Sequence, residues 1–171
     1  MGSDADTRAR DLIMDGIADP PERTSIIKPY LLSHGTLECF KLSESRKFYE
    51  EFLGLECVRH AIPAMLIRLG LKFHVVCVEV GDQVHPQNVL NHWGVDVPSD
   101  EEVDEAYQNA LKYKDKYKIR TVMEPTRQHG VYSFYLEDLD HNWWEVVSSG
   151  HFMHDDIYDF GDRFDADGNA M

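Results

Sequence analysis

Three residues of this 171-residue chain have types and positions that could do chemistry together: His34, His92 and Glu145. His34 opens "HGTLE" (34–38) and His92 opens "HWGVD" (92–96), both of the form His, any, any, apolar, acid, and 58 residues apart. Glu145 lies in "DLDHNWWEVVSSG" (138–150), flanked by Trp143, Trp144, Val146 and Val147. Burying an unpaired carboxylate in such a run is costly, and a divalent cation beside it removes the cost. Two imidazoles and a carboxylate on one side of a metal leave coordination positions vacant. That arrangement suits a non-haem Fe(II) that must bind substrate and oxygen. In an alternating strand Trp143 and Val147 share the face of Glu145 and wall the metal off from water, while Trp93 and Trp144 point the other way, under helices. Glu137 and Asp138 are not embedded in the same manner.

The elements that must position these residues recur in order. "YLLSHGTLECF" reads as a strand. "SESRKFYEEFL" reads as an amphipathic helix with Ser43 as N-cap and Gly54 as its stop. "LECVRHA", "AMLIRLG" and "FHVVCVEVG" follow as short strands rich in β-branched residues. The order then repeats. "NHWGVDV" is a strand, and "SDEEVDEAYQNALKYKDKY" is a helix opened by Ser99 with Glu102 three residues on, a capping box. "IRTVMEP", "VYSFYLED" and "NWWEVVS" are three more strands. An internal repeat constrains the whole fold. Here it places His34 and His92 at the same point of two strand-helix-three-strand modules, with Glu145 on the last strand of the second. If the two small sheets pair into an open barrel, all three side chains face one cavity.

The predicted organisation is an N-terminal arm over 1–29, a single domain over 30–148 with modules at 30–81 and 90–148, and an acidic tail over 149–171. The arm stops at Pro20-Pro21 after a short stretch, Thr7 to Met14, with the composition of a frayed helix. The tail spaces Phe152, Tyr158, Phe160 and Phe164 among aspartates, which predicts that part of it packs back on the body. A hydrophobic content of 43% suits a compact core. The net charge of −14 argues against nucleic acid and anionic membranes as partners. No apolar run has the length of a membrane span, and the polar start lacks a secretory signal pattern; a cytoplasmic location is expected. Cys39, Cys57 and Cys77 form no CxxC pair and sit among apolar neighbours, as free thiols in a core do.

With His34, His92 and Glu145 in paired modules, residues 30 to 148 resemble the vicinal oxygen chelate superfamily, which includes glyoxalases, epimerases, fosfomycin-resistance transferases, antibiotic-binding proteins and extradiol ring-cleaving dioxygenases. "SRKFYEEFLGLE" is similar to that family's helix-and-turn sequence. The implied fold is α+β, two βαβββ modules forming an open barrel. "EPTRQHGVYSFYLEDLDHNWWEVV" resembles the end of the catalytic domain of type I extradiol dioxygenases, where a Thr-Arg-His-Gly turn precedes a strand with a tyrosine and then the glutamate ligand. The tyrosine here is Tyr135, ten before Glu145, and the histidine is His129. This chain departs from the pattern by inserting Gln128 into the turn, and by "DLDHN" in place of Asp-Pro-x-Gly-Asn. The resemblance also implies that His74, in "FHVVCVEV", is the acid–base residue. An imidazole titrates near neutrality and can take a catechol proton and return it. His129 and Tyr135 would hydrogen-bond a substrate oxygen and fix its approach.

The resemblance therefore implies an enzyme that cleaves the ring of a catechol-like aromatic with O2, using Fe(II), with Mn(II) as the alternative ion, and acting as a homodimer. His74 as a fourth metal ligand stays open, as does Glu79, whose strand parity is opposite to that of His74. So do two rival functions. One is a lyase, isomerase or thiol transferase of the same fold using Zn, Ni or Mn. The other is a metal-free small-molecule binding protein. His60, His85 and His141 fall in predicted turns or strand ends and are expected to be solvated. His151 and His154 lie close enough in sequence to the last strand to reach the cavity mouth.

Overall fold

The structure, a computed structural model, describes residues 25–27, 29, 31–59, 61–70, 73–149 and 161–171. The expected helix at Thr7 to Met14, His60, His151, His154 and three of the tail aromatics lie outside the described residues. The fourth, Phe164, is bridged to Ala170 and is 63% exposed, so at that position the tail does not pack back. The chain divides into two compact units, residues 1–85 and 86–171.

In the first unit β1 (His34–Cys39) leads into α1 (Leu42–Lys47), a π-helical turn (Phe48–Phe52), and then β2 (Glu56–Val58), β3 (Ala64–Arg68) and β4 (His74–Glu79). The sheet order is β1-β4-β3-β2, with β1 and β4 parallel and the other pairs antiparallel. Alternation divides its residues cleanly. Leu37, Cys39, Met65, Ile67, Val75 and Cys77 are buried, and the helix places Leu42, Phe48 and Tyr49 in the same core. The other face carries His34, Thr36, Leu66, His74, Val76 and Val78, none of them buried. The three cysteines are free and buried, as expected.

Ser43 does not cap α1. The cap position is Lys41, with no side-chain cap bond, and the helix start is served from the sheet, where the Glu79 carboxylate accepts the Leu42 amide at 2.8 Å. An exposed N-terminal amide needs an acceptor, and here a residue 37 positions away supplies it. Gly54 ends the helical segment as expected, in the left-handed region at φ +72.

In the second unit β5 (His92–Asp96), α2 (Asp100–Lys112), β6 (Thr121–Val122), β7 (Thr126–Gln128), β8 (Val131–Glu137) and β9 (Trp143–Ser148) follow one another. The sheet order β5-β9-β8-β6 repeats that of the first unit, and β7 pairs with β8 as an additional strand where a turn was expected. Ser99 caps α2, its hydroxyl accepting the Glu102 amide at 3.4 Å. The helix covers the face formed by Phe134, Leu136, Trp144 and Val146, with the Tyr107 ring edge-on to Phe134 at 5.6 Å. Trp144 is thus under the helix, as its parity predicts.

The turn from β8 to β9 corrects one expectation. Asp138 is fully buried, more deeply than Glu145. Its carboxylate accepts the Asp140 amide (2.8 Å), the Asn142 amide (3.0 Å) and the Trp144 indole N–H (3.0 Å), so its burial is structural. Loss of solvent and the neighbouring Asp140 charge push its pKa up to about 7. His85 and His141 are not merely solvated. Each Nδ1 meets a glutamate, Glu38 at 2.9 Å and Glu137 at 2.7 Å respectively. Among the described residues no helix is long and apolar enough to cross a membrane.

Candidate metal centre

Register determines which side chains share the open face of the second sheet. His92 lies opposite Trp143, Gly94 opposite Glu145, and Glu145 in turn opposite Tyr135. Ser133 is opposite both Val147 and Thr126. Cross-strand partners point to the same side, so His92, Glu145, Tyr135, Trp143, Val147 and Gln128 line one surface, away from α2. Trp143 and Val147 therefore do flank Glu145.

Within this face His92 and Glu145 meet. Nε2 of His92 is 3.3 Å from Oε2 of Glu145, with the two side chains 28% and 15% exposed. The ring is held from its other side, Nδ1 lying 2.7 Å from the Val89 carbonyl oxygen. A carbonyl only accepts, so Nδ1 carries the proton and Nε2 is the nitrogen turned to the carboxylate. A neutral imidazole would then present a lone pair to a carboxylate lone pair. A positive centre must lie between them: a second ring proton, or a metal ion. A ligating histidine with its other ring nitrogen bonded to a carbonyl is the usual orientation device at metal sites, and imidazole with carboxylate is a donor set that divalent first-row metals accept. The residues fit such an ion.

Tyr135 completes the surface. Its ring is edge-on to His92, centroids 5.0 Å apart, and its hydroxyl receives the Gln128 amide N–H at 2.8 Å. Burial, then the hydrogen bond to the Glu145 carboxylate, raise the pKa of the phenol, which stays protonated. Gln128 was not anticipated as a site residue. The signal was present in its departure from the family turn, but its role depends on β7, which sequence patterning does not show. His129 occupies the β7–β8 turn, exposed, with φ +53.

In the first unit His34 and His74 are register partners on β1 and β4, their rings stacked at 5.5 Å. His34 Nδ1 lies 2.8 Å from the Ser33 hydroxyl. In both strand-opening histidines, then, Nδ1 is engaged by a neighbour just N-terminal to it, a hydroxyl at His34 and a carbonyl at His92. Glu79 points to the opposite face and is bonded to Leu42, so it does not share a surface with His74. The expected ligands thus fall as a His92–Glu145 pair in one unit and His34 in the other. Among the described residues no three His, Cys, Asp or Glu side chains are gathered as a metal-ligand group.

Comparison with known proteins places the fold. A glyoxalase/bleomycin resistance protein/dioxygenase from Nocardioides superposes with a TM-score of 0.54 over 76% of this chain and 89% of its own, at 14% identity. A possible glyoxalase from Bacillus cereus gives 0.54 over 67% and 95%, at 24% identity. A genomically encoded fosfomycin resistance protein from Listeria monocytogenes gives 0.53 over 68% and 91%, at 23% identity. No protein-family model and no curated protein sequence matches the chain. The α+β architecture of two sheets with the repeated strand order is the vicinal oxygen chelate fold. That fold hosts several chemistries, so the activity has to be argued from the site.

Proposed function

We propose that the protein is a metal-dependent enzyme in which His34, His92 and Glu145 hold a divalent ion, and that it is an Fe(II) extradiol dioxygenase acting on a catechol-like aromatic with O2. The observation that carries the metal is the His92–Glu145 contact, with Nδ1 already committed to Val89 and Nε2 3.3 Å from Oε2. His34 is the third ligand by its equivalence to His92 in the repeat and by the matching engagement of its Nδ1. Glu79 is not the fourth ligand: it is bonded to the start of α1, and on β4 the position equivalent to Glu145 is Val76. Three ligands leave vacant positions, as a reaction needing both a bidentate substrate and O2 requires.

Bound Fe(II) supplies chelation of two adjacent substrate oxygens and a place for O2 beside them. The protein residues then have separate tasks. His74, stacked on His34 and on the same sheet face, takes a proton from a substrate hydroxyl and returns it later. Tyr135, opposite Glu145 in register and edge-on to the His92 ring, packs beside both ligands. Trp143 and Val147 exclude water from that carboxylate and strengthen every polar contact beside it.

The alternative is a lyase, isomerase or thiol transferase on the same ligands, favoured by the fosfomycin resistance protein and the possible glyoxalase among the structural relatives. Anaerobic loading with Fe(II), followed by oxygen uptake on a panel of catechols, separates the two. Uptake stoichiometric with ring opening is expected. Tight Fe(II) binding with no oxygen consumption on any catechol would overturn the dioxygenase and leave the lyase class.

A further inference from the structure

The nitrogen that His92 turns to Glu145 is selected by a carbonyl, and that carbonyl belongs to a loop. Val89 lies in the stretch 86–91 that leads into β5, and its oxygen is 2.7 Å from His92 Nδ1. Gln87, Asn88, Leu90 and Asn91 around it are exposed. Keeping an exposed loop in one conformation costs backbone entropy, so contacts must fix it if its carbonyl is to stay on the ring. Asn88 closes the loop from inside: its carbonyl accepts the Asn91 amide at 2.8 Å, and its Oδ1 accepts the Leu90 amide at 2.9 Å. Gln87 ties the closed turn to the start of β9. Its amide donates to the His141 carbonyl at 3.1 Å, and its carbonyl accepts the Trp143 indole N–H at 3.2 Å. An indole N–H only donates and a carbonyl only accepts, so the direction of that bond is fixed. Trp143 is also the register partner of His92 in the parallel β5–β9 pair. The contacts therefore form a circuit: from Trp143 to Gln87, along the chain to Val89, from Val89 to the His92 ring, and across the sheet back to Trp143.

We infer that Trp143 is a positioning residue for His92: its indole N–H pins Gln87, and through the loop keeps the Val89 carbonyl on Nδ1 and Nε2 toward Glu145. The pin stands on these contacts alone; its effect on a bound ion rests on the metal reading above. Trp143→Phe keeps an aromatic wall beside Glu145 and removes the donor. Asn88→Ala leaves Trp143 in place and loosens the same loop from within.

The experiment uses the full chain with ring-15N-labelled histidine, the His92 signals being identified by their absence in His92→Asn. In the metal-free protein the solvent exchange of the His92 Nδ1 proton is measured. Trp143→Phe should speed it by about threefold to tenfold, the range for one lost hydrogen bond, while the β8 amides keep their wild-type rates. Asn88→Ala should speed it as well. In the Asn88→Ala background Trp143→Phe should add less than about twofold, because the loop is already released. With Mn(II) as probe, Trp143→Phe should weaken binding by about threefold to tenfold, less than the loss of a direct outer-shell partner, since Val89 itself remains. A wild-type rate for that proton in either variant overturns the pin. So does a wild-type proton that already exchanges as fast as that of the exposed His129. An equal effect of Trp143→Phe with and without Asn88 shows that the ring acts by packing and not through the loop, and also overturns it. Unweakened Mn(II) binding in Trp143→Phe overturns the link from the loop to the ion. A wild-type protein that binds no Mn(II) or Fe(II) sinks the metal reading, while the Nδ1 proton of the metal-free protein still decides the role of Trp143.

Discussion

The two units share a sheet order and part company on their open faces. Register lets them be compared position by position. His34 corresponds to His92. Val76 stands where the second unit has Glu145, and Leu66 stands where it has Tyr135, since Thr36–Val76–Leu66 and Gly94–Glu145–Tyr135 are the equivalent cross-strand rows. His74 corresponds to Trp143. One module therefore surrounds its histidine with aliphatic neighbours and a second imidazole. The other surrounds it with a carboxylate, a phenol and an indole. The buried faces did not diverge in kind, because each must still seat a helix. A duplicated scaffold keeps the positions that pack and is free to vary those that face outward.

The largest expected effect separates the two histidines of the first unit. His34→Ala should remove bound metal. His74→Ala should retain it and slow turnover by about two to four orders of magnitude, the range for a lost general acid–base residue. Metal titration beside single-turnover rates checks both, and loss of metal in His74→Ala would make it a ligand.

A second prediction concerns the β8–β9 turn, which has no counterpart among the described buried groups of the first unit. Asp138 has a folded-state pKa raised from 3.8 to about 7. The folded protein then binds that proton more tightly than the unfolded chain does. Its contribution to stability is complete below about pH 4 and is lost as the pH rises through 7. Asp138→Asn should flatten the fall in urea midpoint between pH 5 and pH 8 relative to wild type. An unchanged slope would mean that Asp138 is ionised throughout.

The smallest expected effects compare the two helix starts. Ser99→Ala removes the cap of α2 and should cost about 0.5–1 kcal/mol. Ser43→Ala, at a position that caps nothing, should stay within about 0.5 kcal/mol of wild type. Denaturant midpoints at constant m-value measure both, and equal costs would show that Ser43 has a capping role after all.

The repeat was open to sequence reasoning because it is written locally: His34 and His92 begin strands of the same pattern, and Ser99 with Glu102 announces a helix from four adjacent residues. Glu145 was detectable because a carboxylate between tryptophans and valines needs a partner. What escaped depends on contacts between distant positions. The start of α1 is served by Glu79, so the nearby Ser43 misled. Asp138 is buried because a turn and Trp144 fold around it, and the acidic turn "DLDHN" gives no apolar periodicity to signal that. Gln128 reaches Tyr135 because three residues of β7 pair with β8, too short a run for alternation to declare itself.

The central claim is that the gap between His92 Nε2 and Glu145 Oε2 holds a divalent cation. Metal stoichiometry after Fe(II) loading, measured on wild type and on Glu145→Ala with matched circular dichroism, tests it most directly. One equivalent per chain in the wild type and almost none in the variant is the predicted result. Full occupancy in Glu145→Ala would contradict the account, and the contact would then be an ion pair of a protonated His92.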